Sequence, residues 1–501
     1  MLEKYFILCY YNRSFIDLQE EKMRKLNNIE PAEVFEYFED ICGIPHGSEN
    51  PEKICKYLLD FAKKNNLKAI SDDAFNVIIY KDATKGYENH EPVILQGHTD
   101  MVCQKSAESK IDFLNDGLII FQDGDFIKAD GTTLGADNGI AVGMILAILS
   151  STTLSHPPIE AVFTTDEEIG MIGAGKLDIS KLKGKRMINI DSEESDTLTV
   201  SCAGGSEAEF NLSYSTEKKN GTKAVLKIKG LKGGHSGVEI DKGRVNANIL
   251  LGRILNHLKN NIDFEIISVV GGTKANAITP SLDAELLVYD FDAFSEILKN
   301  YSSVIKEELK AREENLEISL IKDSDGDFEV MEKSVKDKFI YMLISTPDGI
   351  VDMSMEIENL VETSLNLGIL SVENNKLTFI YALRSNKISA LDSLEERLSY
   401  IAKYNGFDCK LSGRYNPWEY KEDSFLKDLF IEEYNNKFNK MPKVSAIHAG
   451  LECAVFSEKI RDLDCIAMGP DIIGAHTVEE RLSISSTKAI FELLCKIIEK
   501  C

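Results

Sequence analysis

The sequence predicts an α/β fold, a mainly parallel sheet with helices on both faces, plus an inserted α+β lid domain. Three observations carry that expectation. Strand-like and helix-like segments alternate through the first part of the chain, the pattern of a parallel sheet whose connections are covering helices. The run Ile159-Glu160-Ala161-Val162-Phe163 reads as a buried strand and leads straight into Thr164-Thr165-Asp166-Glu167-Glu168-Ile169-Gly170, so three acids emerge where a core strand ends and a loop begins. The texture then changes near residue 205 and returns near residue 414.

Pro31 opens a first helix with Val34, Phe35, Phe38 and Ile41 on one face, and Asn50-Pro51 starts a second that carries Ile54, Leu58 and Phe61. Proline suits the first turn, where its missing N–H has no partner to lose. Strands are expected at 76–80 and 92–96, the latter ending in Gly97-His98-Thr99-Asp100-Met101. Gly135-Ala136-Asp137-Asn138-Gly139 introduces an almost wholly apolar helix, 140–149, that must be buried on most sides. A short strand at 187–190 ends in Asp191-Ser192-Glu193-Glu194. Next come a strand at 223–231, a helix at 244–260, strands at 265–270 and 282–289, a charged helix at 294–314 and a strand at 376–384, which together suggest a separate α+β unit. A strand-like 465–468 and Gly474-Ala475-His476 belong to the return of the first domain. The expected organisation is an N-terminal extension (1–28), a first part of the catalytic domain (29–204), the inserted lid (205–413) and a second catalytic part (414–501).

At 501 residues the chain exceeds what one core normally organises, so two domains are the default. A formal net charge of −25 without any cluster of Lys and Arg argues against nucleic acid and anionic membrane surfaces, because a phosphate-binding face needs concentrated positive charge. Ten cysteines lie scattered with no C-x-x-C pair, which suggests free thiols in a reducing cytoplasm. No apolar run approaches the roughly 20 residues of a membrane span. Residues 5–11 are apolar, yet they lack a small-residue cleavage site and run into charge, so they do not read as a signal peptide.

His98, Asp100, Asp137, Glu167, Glu168, Asp191 and His476 stand at expected strand ends, and in an open α/β sheet those ends converge along one edge. Two imidazoles and several carboxylates there would suit two divalent metals with one carboxylate bridging them. Neutral imidazole with carboxylate favours zinc, manganese or cobalt over calcium. Adjacent Glu167 and Glu168 point in different directions, so one can ligate while its neighbour serves as a base. Each feature alone has an ordinary reading. A strand-end histidine is commonly a satisfied loop residue, Asp137 sits in a Gly-rich turn that Asp tolerates, Asp191 could cap a following helix, and the three acids could form a solvated loop. Their joint occurrence at unrelated strand ends is what favours the metal reading.

With their surroundings, these residues resemble the zinc aminopeptidase-like family of metallopeptidases, which includes carboxypeptidase G, aminoacylases and dipeptidases. The matching stretches are Gln96-Gly97-His98-Thr99-Asp100-Met101-Val102, Gly131-Thr132-Thr133-Leu134-Gly135-Ala136-Asp137-Asn138-Gly139, Asp191-Ser192-Glu193-Glu194, Gly230-Leu231-Lys232-Gly233-Gly234-His235-Ser236-Gly237, Gly271-Gly272-Thr273 with Asn276-Ala277-Ile278, and His448-Ala449-Gly450-Leu451-Glu452-Cys453. They cover the chain from about residue 29 to its end, and the longer ones are those of the dipeptidase branch, where Gly usually stands at the position of Ala454. The resemblance implies a zinc-peptidase fold in which His98, Asp137 and Asp191 hold one zinc and Asp137, Glu168 and His476 hold the other. It further implies that Glu167 is the general base, that Asp100 orients His98, and that the peptide between Asp137 and Asn138 is cis.

Within that resemblance, His235 is expected to stabilise the oxyanion after lid closure, from the same chain or from a second subunit; a plain turn histidine is the other reading. Asn276 and Arg384 are expected to hold the substrate. Arg384 ends an apolar strand and offers a planar fork to a terminal carboxylate, unless it pairs with a lid carboxylate instead. The implied activity is that of a dipeptidase with two zinc ions per chain, cobalt or manganese being substitutes. Its substrates would be short peptides with a free N-terminus, including Xaa-His and β-alanyl-histidine, and it would act as a homodimer through the lid or complete its site within one chain. An aminoacylase or tripeptidase on the same scaffold is an alternative, as is a catalytically silent scaffold protein, which would lack a ligand or the base.

Overall fold

The computed structural model describes residues 24–26 and 29–501; apart from residues 24–26, the expected N-terminal extension lies outside the described residues. The chain divides into two compact units. One comprises Met1–Thr197, Phe425–Pro442 and Leu463–Cys501, and the other comprises Leu198–Ser424 and Lys443–Asp462. Residues 205–413 all fall in the second unit.

In the first unit, strands pair in the order Lys68–Ser71, Val77–Lys81, Ile159–Thr164, Val93–His98, Arg186–Asn189, Asp464–Ala467. Val93–His98 runs parallel to both neighbours and Asp464–Ala467 parallel to Arg186–Asn189, whereas the first two pairings are antiparallel. The sheet is therefore mixed, with a parallel centre and one antiparallel edge. Connection length explains the difference. Only a short turn separates Lys68–Ser71 from Val77–Lys81, which permits a hairpin, while the helix Ala136–Ser150 lies between the parallel strands Val93–His98 and Ile159–Thr164. Both of those strands are buried at every position, as expected of strands covered on two faces.

The strands expected at 76–80, 92–96 and 187–190 end within about two residues of those observed, the ordinary scatter of element ends. The apolar helix begins earlier than its hydrophobic pattern, at Ala136, and is buried from Asn138 through Leu149. A small second sheet in this unit, ordered Ile472–Ile473, Arg481–Ser483, Phe126–Ala129, Ile120–Asp123, has no counterpart in the sequence reading. Ile120–Asp123 exposes three of its four residues, so it leaves no apolar signature.

The second unit contains an antiparallel sheet ordered Glu317–Met331, Thr216–Lys229, Leu282–Val288, Phe264–Gly271, Val361–Glu373, Lys376–Ser385, Gly204–Ser213, Asp408–Tyr415. Its core joins strand residues such as Phe264 and Phe379 to Leu251 and Leu255 of the helix Ala247–Lys259, Phe294 of Phe291–Leu309 and Phe339 of Lys333–Ser345. The edge strand Glu317–Met331 was not expected: most of it is exposed and rich in charge, so nothing apolar announces it. The nine cysteines among the described residues are all free thiols, and no described helix is long and apolar enough to cross a membrane.

Candidate functional site

The parallel strands of the first unit decide where its ligand-type side chains stand. His98 closes Val93–His98 and is in register with Thr164, the last residue of the adjacent strand, so Glu167 and Glu168 begin just beyond the same edge. Arg186–Asn189 flanks the other side and delivers Asp191 two residues after its end. His476 comes from the loop after Ile472–Ile473. Asp137 corrects the expectation of a strand end: it reaches the cluster from the distorted start of the helix Ala136–Ser150, where Asp137 (φ −82, ψ 100) and Asn138 (φ −119, ψ 24) leave helical geometry. The Asp137–Asn138 peptide is cis. Gly97 makes room for this arrangement, since a Cβ there would stand 2.6 Å from Asn138 Oδ1 and 2.9 Å from the Ala141 side chain.

Asp137 faces two imidazoles with its two oxygens. Oδ1 lies 3.0 Å from His98 Nε2 and Oδ2 lies 3.0 Å from His476 Nε2. His98 Nε2 is also 3.6 Å from Asp191 Oδ1, and His476 Nε2 is 3.1 Å from Glu168 Oε1. Three groups bring their ligand atoms within 4.8 Å of one another: His98, Asp137 and Asp191; Asp137, Glu168 and His476; and His98, Glu167 and Glu168.

Without a cation, this arrangement holds protons. Burial opposes a charged His98, but Asp191, Asp100 and Asp137 around it hold its pKa well above the usual imidazole value. The neighbouring carboxylates of Asp137, to which it is hydrogen-bonded, and Glu168 raise His476 to about 11. Asp137 is itself held far below the carboxylate range by the two imidazoles, against the effect of its burial. Burial pushes Asp191 up to about 6. Glu168 Oε1 is buried and makes no hydrogen bond, although His476 is close by. Such a convergence of carboxylate oxygens on two imidazole nitrogens, including one orphaned buried oxygen, fits a pair of divalent cations taking the place of the protons.

Asp100 ties the parts together. Its Oδ1 accepts from the Glu167 N–H at 3.0 Å, and its Oδ2 accepts from the Glu168 N–H at 3.3 Å and from the Ser48 hydroxyl at 2.7 Å. The His98 ring places Nδ1 3.0 Å from the Asp100 backbone carbonyl and 3.4 Å from its carboxylate, so main chain and side chain together hold the ring with Nε2 inward. Ser48 and the side-chain contacts of Asn138 have no counterpart in the sequence pattern. Asn138 Nδ2 donates to the Ile190 carbonyl and, at 2.5 Å, to Asp191 Oδ1. A serine in a turn and an asparagine after an aspartate carry no signal that separates them from ordinary loop formers.

In the second unit, His235, Asn276 and Arg384 gather around two short loops. Gly234–His235 pairs with Ala277–Ile278, and the Ser236 N–H donates to the Asn276 carbonyl at 2.9 Å, so the two loops form one ribbon. The N–H groups of Gly237 and Val238 donate to His235 Nδ1, both at 3.2 Å. The ring proton is thereby placed on Nε2. Burial, reinforced by Arg384, holds His235 below its usual pKa and hence neutral. Only glycine fits at 237, where a Cβ would lie 2.4 Å from the His448 carbonyl oxygen, 2.9 Å from His235 Cε1 and 3.1 Å from Arg384 Nε. Arg384 donates to the Tyr415 hydroxyl at 3.2 Å, while its buried Nε has no partner among the described residues. His448, left out of the sequence-derived site, accepts from Ser364 at Nε2 (2.7 Å) and donates from Nδ1 to Asn386 (3.2 Å). Burial, with Arg384 and His235 nearby, lowers its pKa to about 3.

Residues 94–500 match Peptidase family M20/M25/M40. The chain is 36% identical over 482 residues to the cytosol non-specific dipeptidase of Escherichia coli (strain K12), covering 95% of this chain and 99% of that protein. It is similar in structure to the aminoacylhistidine dipeptidase from Vibrio alginolyticus, with a TM-score of 0.86 and 34% identity over 95% of this chain and 98% of that one. Aminopeptidase PepT from Bacillus cereus ATCC 10987 shares the fold, with a TM-score of 0.53 and 16% identity over 94% of this chain and 99% of that one.

Proposed function

The chain belongs to peptidase family M20/M25/M40, and from that premise we propose that it is a cytoplasmic two-metal dipeptidase. It hydrolyses short peptides with a free N-terminus, Xaa-His and β-alanyl-histidine dipeptides among them. The observation that carries this reading is the position of Asp137, whose two oxygens each stand 3.0 Å from a different imidazole. His98, Asp137 and Asp191 would hold one ion and Asp137, Glu168 and His476 the other. Zinc is the metal assigned, since imidazole with carboxylate suits it, with cobalt and manganese as functional substitutes. Bound there, two such ions supply Lewis-acid polarisation of the peptide carbonyl and lower the pKa of an attacking water toward neutrality.

The remaining work belongs to side chains. Glu167, whose carboxylate lies within 4.8 Å of ligand atoms of His98 and Glu168, takes a proton from the water as oxygen bonds to the carbonyl carbon. It then returns that proton to the nitrogen as the C–N bond breaks. Asp100 keeps this carboxylate and the His98 ring in place through the contacts described. His235, neutral and protonated on Nε2, is suited to donate to the developing oxyanion. Arg384 is assigned the substrate's terminal carboxylate, because a guanidinium with an unmatched buried N–H calls for an anion, and Asn276 adds an amide contact. Free thiols and the cytosolic name of the Escherichia coli relative support the cytoplasmic assignment; a homodimer through residues 205–413 is the assembly we assign.

The test is a comparison of dipeptides, a tripeptide and N-acetyl amino acids as substrates of the zinc-loaded protein. Cleavage confined to dipeptides is expected. Preference for acetylated substrates or tripeptides would move the assignment to an aminoacylase or tripeptidase.

A further inference from the structure

Glu480 follows His476 by four residues and is buried, with 3% of its surface exposed. Its carboxylate accepts from four consecutive backbone N–H groups. Oε2 takes those of Leu134 at 2.8 Å and Gly135 at 3.1 Å, and Oε1 takes those of Ala136 at 2.8 Å and Asp137 at 3.4 Å. A side chain that collects four successive amides fixes the course of a backbone segment. This segment needs fixing. The first amides of a helix have no intrahelical partner; here Gly135 is left-handed (φ 65), and Asp137 and Asn138 depart from helical geometry. An anion at a helix start is electrostatically favoured, and full hydrogen bonding makes the burial of a carboxylate tolerable.

The other end of the contact is also a ligand-bearing segment. Thr477 N–H donates to the Gly474 carbonyl and Glu480 N–H to the Thr477 carbonyl, both at 3.2 Å, so His476 sits in the same run of turns that ends at Glu480. On its far side, the Asp137 backbone is held by Asn138, whose amide reaches Ile190 and Asp191.

We infer that Glu480 is a positioning residue that fixes Asp137 relative to His476 and thereby sets the spacing of the two metal positions. The inference rests on the two-metal reading. Glutamine cannot take over the task, because its amide nitrogen would present a donor to two N–H groups that need an acceptor.

Calorimetric titration of zinc into metal-stripped wild type and Glu480→Gln tests it, together with melting and amide hydrogen exchange of both metal-free proteins. Wild type should bind two ions. The variant should keep its fold, lose exchange protection at residues 134–137 and bind at least one ion about 10- to 100-fold more weakly. Unchanged affinity for both ions in a folded variant would overturn the inference while leaving the two-metal reading intact; a lower melting temperature alone would mark Glu480 as merely structural. Absence of zinc binding by wild type would overturn the two-metal reading and the inference with it. Should Glu480→Gln fail to fold, Glu480→Asp, which keeps both acceptor oxygens but not their reach, is expected to show the weaker binding, and wild-type affinity in that variant would overturn the inference.

Discussion

His476 Nε2 lies 3.0 Å from Asp137 Oδ2, joining residues 339 positions apart in the chain. Without metal this contact is an ion pair, which is why His476 is raised to about 11 and His98 also lies well above its usual value. A metal needs both nitrogens unprotonated, so it competes with protons for them. Zinc binding at pH 8 is expected to release at least one proton per chain, and affinity should fall as pH is lowered, because acid favours the protonated pair. Titration calorimetry in buffers of different ionisation enthalpy reads the proton number directly. A heat independent of buffer would show that the imidazoles are already neutral.

The proposed sharing of Asp137 between two ions has a second consequence. Asp137→Ala should weaken both ions, whereas His476→Ala should weaken one and leave the other close to wild type. Metal content after dialysis against a buffer of fixed zinc activity distinguishes the two patterns, and loss of a single ion in Asp137→Ala would deny the shared role.

Glu167→Ala is expected to retain two ions and lose turnover by about 10²- to 10⁴-fold, the usual contribution of a positioned base. Metal analysis beside kcat checks it; near-normal kcat would remove Glu167 from the proton transfer.

Arg384→Ala should lower kcat/KM for free dipeptides by roughly 10- to 150-fold, corresponding to about 1.5–3 kcal/mol for hydrogen bonds to a charged group. Dipeptide amides, which lack the carboxylate, should lose much less. Equal losses on acids and amides would make Arg384 structural.

His448 gives a stability prediction. It is buried neutral with its pKa lowered to about 3, while in the unfolded chain it takes a proton near pH 6.5. The unfolded state therefore binds more protons between those values, so His448 costs stability progressively as pH falls from about 6.5 toward 3. His448→Gln should flatten that part of the pH–stability profile, as followed by urea unfolding; an unchanged slope would show that other groups control it.

Much of the site could be read in the sequence because parallel strands end together. Once 92–96, the run before Glu167 and 187–190 are recognised as buried strands, His98, Glu167, Glu168 and Asp191 must approach one edge. Asp137 and His476 follow from no such rule. Both are expected at strand ends, yet they come from a distorted helix start and a loop, and it is the motif resemblance that assigns them to the candidate site. The contacts of Ser48, Asn138 and Glu480 were invisible for another reason: their roles lie in which backbone amides and oxygens they meet, and this depends on loops distant in sequence. The same limit applied to the fold. Apolar strands and helices declared themselves, while the charged edge strand Glu317–Met331 and the exposed Ile120–Asp123 offered no periodic apolar pattern.

The most direct measurement is hydrolysis of Ala-Ala and β-alanyl-histidine by metal-stripped protein as zinc is added in known equivalents. Activity should be absent at the start and rise to a plateau at about two equivalents per chain, the stoichiometry of a co-catalytic pair. Two bound ions with no dipeptide cleaved, or full activity in stripped protein, would contradict a two-metal dipeptidase.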